Sequence, residues 1–139
     1  MTSGGVIEKR RDASLRQPKT DYFDIFSLHG VTPAQYAAAF DRLLPALLRL
    51  KDQGKIRSVG ITESFERDPR HTMLTRAAAS NSFDTIMIGL NIVNHTGSPV
   101  VAEARRSGTG VIAMYGSGHF AIKRASPPCC ECPAPAWLS

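Results

Sequence analysis

Four short runs rich in β-branched and aromatic residues punctuate this chain, beginning near residues 22, 56, 84 and 110. They read as Tyr22–Leu28, Ile56–Thr62, Phe83–Leu90 and Gly110–Tyr115, each short and apolar enough for a strand buried in a parallel sheet. A helix signal stands between each run and the next. A strand, a crossing helix and a second strand bring the chain back in the same direction, so the pattern predicts an α/β fold of consecutive parallel strands. The repeat is one of supersecondary structure, not of sequence.

The helix signals are local. Thr32-Pro33-Ala34-Gln35 offers an N-cap threonine, a proline at the first helical position and a glutamine placed to complete a capping box. Tyr36, Phe40, Leu43, Leu44, Leu47 and Leu50 then recur at spacings of three and four. One helix is expected from there to a stop at Gly54, kinked at Pro45. Asp68-Pro69 is expected to open the second helix, with Met73, Leu74 and Ala77 facing inward and an end near Asn81-Ser82. Ser98-Pro99 opens the third, which buries Val100, Val101 and Ala104 and closes at Gly108.

The first strand carries the main functional clue. Ile25, Ser27 and His29 share one face, Phe26 and Leu28 the other, and the run stops at His29-Gly30. A titratable imidazole is thereby placed at the carboxyl end of a buried strand, where parallel α/β folds gather their chemistry. Thr62-Glu63-Ser64 forms the matching end of the second strand. The plainer alternative for His29 is a packed histidine bonded to backbone. His71 and His95 are expected to be exposed helix and loop residues, and His119 falls in the tail.

Composition limits the other classes. The chain has 139 residues, 42% of them hydrophobic, enough for one core and not for two independent domains. Lys and Arg number 17 against 12 Asp and Glu, but the positive charges are scattered, which fits a solvated surface better than a nucleic-acid footprint. No apolar run approaches the roughly 18–20 residues that cross a membrane, and residues 1–11 lack a signal-peptide core, so a cytoplasmic chain with no membrane partner is expected. Cys129, Cys130 and Cys132 sit together without partners elsewhere, which indicates no disulfide framework. They also lack a fourth ligand and paired Cys-x-x-Cys spacing, so no metal site is assigned. Asn94-His95-Thr96 fits a glycosylation acceptor that only a secreted chain would use.

Three segments follow. Residues 1–19 form a polar lead-in with a short helix around Val6–Leu15, 20–115 hold the strand and helix alternation, and 116–139 form an irregular Pro- and Cys-rich tail. The tail has neither period and is expected to be disordered. Its abrupt start after Tyr115 is what a shifted reading frame would give. Gly116-Ser117-Gly118-His119-Phe120-Ala121 fits a Gly-x-Gly-x-x-Ala dinucleotide turn, but Pro127-Pro128 cuts short the helix that should follow, and no second strand or acid about 20 residues on completes it.

The runs Thr-Asp-Tyr-Phe-Asp-Ile-Phe-Ser-Leu-His (20–29), Leu-Lys-Asp-Gln-Gly-Lys-Ile-Arg-Ser-Val-Gly-Ile-Thr (50–62), Phe-Asp-Thr-Ile-Met-Ile-Gly-Leu-Asn (83–91) and Gly-Val-Ile-Ala-Met-Tyr (110–115) resemble the aldo-keto reductases. The resemblance covers about 14–115 and implies strands four to seven of an eight-stranded (β/α) TIM barrel, with the first three strands absent. It implies hydride transfer from NADPH to a small carbonyl substrate, using a tyrosine acid, a lysine, an aspartate and a carbonyl-orienting histidine. Of that set only His29 has a counterpart here. Lys19, Asp21 and Tyr22 are of the right types, but Tyr22 lies seven residues before His29, ~23 Å away along a strand at ~3.3 Å per residue. The family's Ser-Asn pair, which grips the nicotinamide amide, falls on Thr62-Glu63. Its strand-six glutamine falls on Met87, which bonds only weakly, and its stacking tyrosine on Met114, beside Tyr115. The 2′-phosphate contacts would fall after residue 116.

The sequence is therefore read as a partial aldo-keto reductase barrel, of about four parallel strands with three or four helices. It is expected to be catalytically inactive because the family's Asp, Tyr and Lys lie on the missing strands. The alternative is a non-catalytic half-barrel interaction module that self-associates through its open strand edges. A third reading, a nucleotide-binding doubly wound sheet, would rest on Gly116–Ala121.

Overall fold

The computed structural model describes residues 21–91 and 94–115, together with Gly5 and Lys9, which are helical. The rest of the expected lead-in segment, the expected glycine turn, the cysteines and His119 lie outside the described residues. The elements alternate in the expected order: β1 (Phe23–Val31), α1 (Pro33–Arg42), α2 (Leu44–Asp52), β2 (Ile56–Glu63), α3 (Thr72–Ala79), β3 (Thr85–Gly89), α4 (Ser98–Arg106) and β4 (Gly110–Met114). The strands form one sheet in the order β1-β2-β3-β4, with every pairing parallel. That is the α/β arrangement the alternation predicts.

Two helices differ from expectation. The 32–54 segment is broken, not kinked. Its start is as read, with Thr32 and Gln35 closing a capping box. At Leu43 the ladder restarts: the Leu43 amide still bonds Ala39 O at 3.0 Å, while Leu43 O accepts from Ala46 at 3.1 Å and Leu47 at 3.2 Å. Pro45 has no N–H to continue α1 and its ring would strike a carbonyl one turn back, so it is accommodated in the first turn of a new helix.

The second difference concerns Asp68. Here α3 begins at Thr72, not beside Pro69. The Asp68 carboxylate reaches forward to accept the amides of Thr72 at 3.1 Å and Met73 at 2.8 Å, and the Thr72 hydroxyl. It caps the helix at a distance, with Pro69 and Arg70 in the intervening turn.

Leu47, Leu50, Ile56, Val59, Ile61, Met73, Leu74, Ile86 and Ile88 are fully or almost fully buried between the helices and one face of the sheet. Val101 is only half-buried. At the amino end of the strands, Asp84 takes Lys51 Nζ at 2.7 Å and the Val59 amide at 2.8 Å, tying α2, β2 and β3 together.

The other face carries smaller residues in layers. Ser27, Gly60, Thr85 and Gly110 are in register across the sheet, and a methyl group on Gly60 would overlap both the Ser27 and Thr85 side chains. Ile25, on this face, is 45% exposed, while Thr62, further along it, is buried. Among the described residues no helix is long and apolar enough to cross a membrane.

Candidate functional site

His29 lies near the carboxyl end of β1 on the face that bears Ile25, and it is exposed. The strand does not stop there. It runs on to Val31 through a register shift at Gly30, whose φ of 62° suits a residue without Cβ. The shift turns the Gly30 amide toward β2, where it donates to Thr62 Oγ1 at 2.7 Å. The same oxygen lies 3.1 Å from His29 Nδ1. The hydroxyl thus joins the two strand ends, and Thr62, Met87 and Ile112 continue the layer across the sheet.

Glu63, one residue on, is turned away from that face. Its carboxylate sits 3.0 and 2.8 Å from His71 Nδ1 and accepts the Gly89 amide at 2.7 Å. The β2–β3 register ends at Thr62 and Met87. The carboxylate therefore takes an amide that the ladder leaves unpaired. His71 is fully buried, contrary to the expectation of an exposed helix residue. Its backbone, at φ 55°, is left-handed, and this conformation swings the ring inward, 5.6 Å from the Phe65 ring. His71 Nε2 lies 3.0 Å from Thr96 Oγ1. Since the Thr96 hydroxyl donates to Asn94 Oδ1 at 2.7 Å, Nε2–H must be the donor to Thr96. One further proton lies between Nδ1 and the Glu63 carboxylate.

Burial pushes the Glu63 pKa above the ordinary carboxylate value, and the Gly89 and His71 bonds only partly offset this. Asp68 is also buried, but there the desolvation is outweighed by its bonds from Met73 and Thr72 and by nearby His71, so its pKa is lowered. Sequence reasoning missed this Glu63–His71–Thr96 chain. The available signal was an acid, Glu63, closing the run Val59–Thr62 of a strand read as buried, where a carboxylate requires a partner.

The residues expected to meet a nicotinamide are thus placed as follows. Thr62 is 3% exposed with its hydroxyl engaged by Gly30 and His29, and Glu63 is 4% exposed with its carboxylate engaged by His71 and Gly89. Met87 shares the inner face with Thr62. Met114 pairs with Gly89, and Tyr115 beyond it places its ring 6.3 Å from Phe65. This donor set does not fit an amide grip: both polar side chains are buried and already bonded. Among the described residues, no group of three or more His, Cys, Asp or Glu side chains is placed to hold a metal ion.

The family model for aldo/keto reductases matches residues 2–119. The chain belongs to the aldo/keto reductase family. No curated protein sequence matches it. Among solved structures, the holo form of an aldo-keto reductase, AKR11C1 from Bacillus halodurans, is similar at 25% identity with a TM-score of 0.66, over 80% of this chain and 35% of that one. A putative aldo-keto reductase from Pseudomonas aeruginosa matches in fold at 20% identity and TM-score 0.66, over 83% of this chain and 43% of that one. An aldo/keto reductase from Brucella melitensis does so at 20% identity and TM-score 0.58, over 84% and 46%. The chain therefore spans less than half the length of these aldo-keto reductases, and its four parallel strands match part of the family's barrel.

Proposed function

We propose that this chain supplies the carbonyl-orienting part of an NADPH-dependent aldo-keto reductase site, with His29 as the residue that meets the carbonyl oxygen, and that the 139-residue chain alone neither grips NADPH nor reduces carbonyls. The observation that carries this is the contrast at the carboxyl end of the sheet. His29 is exposed on the open face, while Thr62 and Glu63 are buried and bonded within the protein. His29 can bind and orient a small carbonyl compound through a ring N–H. It cannot replace a missing general acid, whose proton transfer is typically worth ~10²–10⁴-fold in rate. Tyr22 stands at the far end of β1, Tyr36 is buried on α1, and Tyr115 follows β4, three strands across the sheet from His29. The test is to incubate the chain with NADPH and an aromatic aldehyde and follow cofactor oxidation. No oxidation above the protein-free rate is expected. Turnover that disappears in His29→Ala would overturn the proposed inactivity.

A second reading, self-association, is favoured by one specific observation: the outer edges of β1 and β4 have no strand partner among the described residues, and Ile25 beside the β1 edge is 45% exposed. Open edges of this kind pair with other strands. Sedimentation over a range of concentrations should then show a discrete dimer, weakened by Ile25→Glu. A monodisperse monomer throughout would count against it.

A further inference from the structure

We infer that Thr62 is a positioning residue for His29: its hydroxyl donates to His29 Nδ1 and so fixes the imidazole as the Nε2–H tautomer, with that N–H presented on the open face. The inference rests on reading His29 as the carbonyl-orienting residue, but it concerns the ring itself and can be tested without substrate.

Thr62 Oγ1 accepts the Gly30 amide at 2.7 Å, which uses one lone pair. Its own hydrogen needs an acceptor, because Thr62 is buried, at 3% exposed, and a hydroxyl hydrogen left unpaired there is costly. Among the described residues, His29 Nδ1, 3.1 Å away, is the other atom bonded to this oxygen. If Nδ1 carried the proton, it would donate to Thr62 and leave the buried hydroxyl hydrogen without a partner, at a cost comparable to a lost hydrogen bond. With Nδ1 as acceptor every group is satisfied, and the remaining ring proton must sit on Nε2.

The backbone supports the arrangement. The left-handed Gly30 directs its amide at Oγ1, which orients the hydroxyl lone pairs and leaves the O–H to point along β1 to the neighbouring ring. The bulge, the glycine and the threonine thus act together on one imidazole. A hydroxyl spent in this way is also not offered to a cofactor amide.

The test is long-range ¹H–¹⁵N correlation spectroscopy of the full chain with ¹⁵N-labelled histidine, at a pH where His29 is neutral, its signals assigned by their loss in His29→Gln. The wild type should show the pattern of a single Nε2–H tautomer at His29. Thr62→Ser, which keeps the hydroxyl, should retain it. Thr62→Val, close in shape, should lose it and show mixed tautomers, with circular dichroism confirming that the sheet persists. A wild-type Nδ1–H tautomer overturns the inference, as does the tautomer mixture of an unstructured histidine. So does a Thr62→Val spectrum unchanged from wild type. If Thr62→Val fails to fold, the wild-type and Thr62→Ser spectra decide the matter. A chain inert toward carbonyls that still shows the Nε2–H pattern would separate failure of the functional reading from failure of this one.

Discussion

At His71 the backbone takes a left-handed turn that a side chain rarely adopts, and what holds it there is the buried carboxylate of Glu63. Removing one member of such a pair leaves the other buried without compensation, at a typical cost of about 3–5 kcal/mol. His71→Ala should therefore lower the unfolding free energy by about that amount in urea titrations, and much less when Glu63→Met is already present. The pair also imposes a pH dependence with a definite sign. Glu63 has a folded-state pKa raised above its ordinary value of 4.5, so its contribution is complete below about pH 4.5 and is lost as pH rises through the folded value. Glu63→Gln should flatten that loss in urea midpoints measured across pH. In sequence the only signal for this pair is the acid at the end of a buried run, Glu63; His71 reads as an exposed helix residue, and only the meeting of the β2 end with the 65–71 turn encloses it. His29 was legible because a strand-end position follows from the alternation alone.

The elements were legible where the signal is local and less so where it is not. The capping box at Thr32 and Gln35 and the left-handed stops at Gly54 and Gly108 came directly from residue types. The break at Leu43 did not, because proline's effect depends on whether the helix can restart, and here it does. Asp68 reads as a cap beside Pro69, but its carboxylate spans a proline-containing loop and serves the amides of the next turn. Asp68→Ala should cost about 1–2 kcal/mol, the upper range for an N-cap, because two amides lose their acceptor. Asp68 and Asp84 both have pKa values below the ordinary 3.8 despite desolvation, so their contributions are present above that pH and lost as it falls. Asn variants of the two should reduce the acid sensitivity of unfolding. In the sheet, Gly60→Ala should cost about 1–3 kcal/mol by overpacking against Ser27 and Thr85.

For the whole molecule, four parallel strands with helices on one face account for the match to part of an aldo/keto reductase barrel. The family and the strand order were legible because each strand run is distinctive. The fate of the cofactor positions was not, because burial of Thr62 and Glu63 depends on the Gly30 bulge and on His71, both products of tertiary contact. The central claim is that this carboxyl end presents His29 and withholds Thr62 and Glu63. The most direct measurement is a titration of the purified chain with NADPH, following cofactor fluorescence, with thermal circular dichroism on the same sample. The account predicts a cooperative unfolding transition and no saturable change in cofactor fluorescence. Saturable binding that is weakened by Thr62→Val or Glu63→Gln would contradict it.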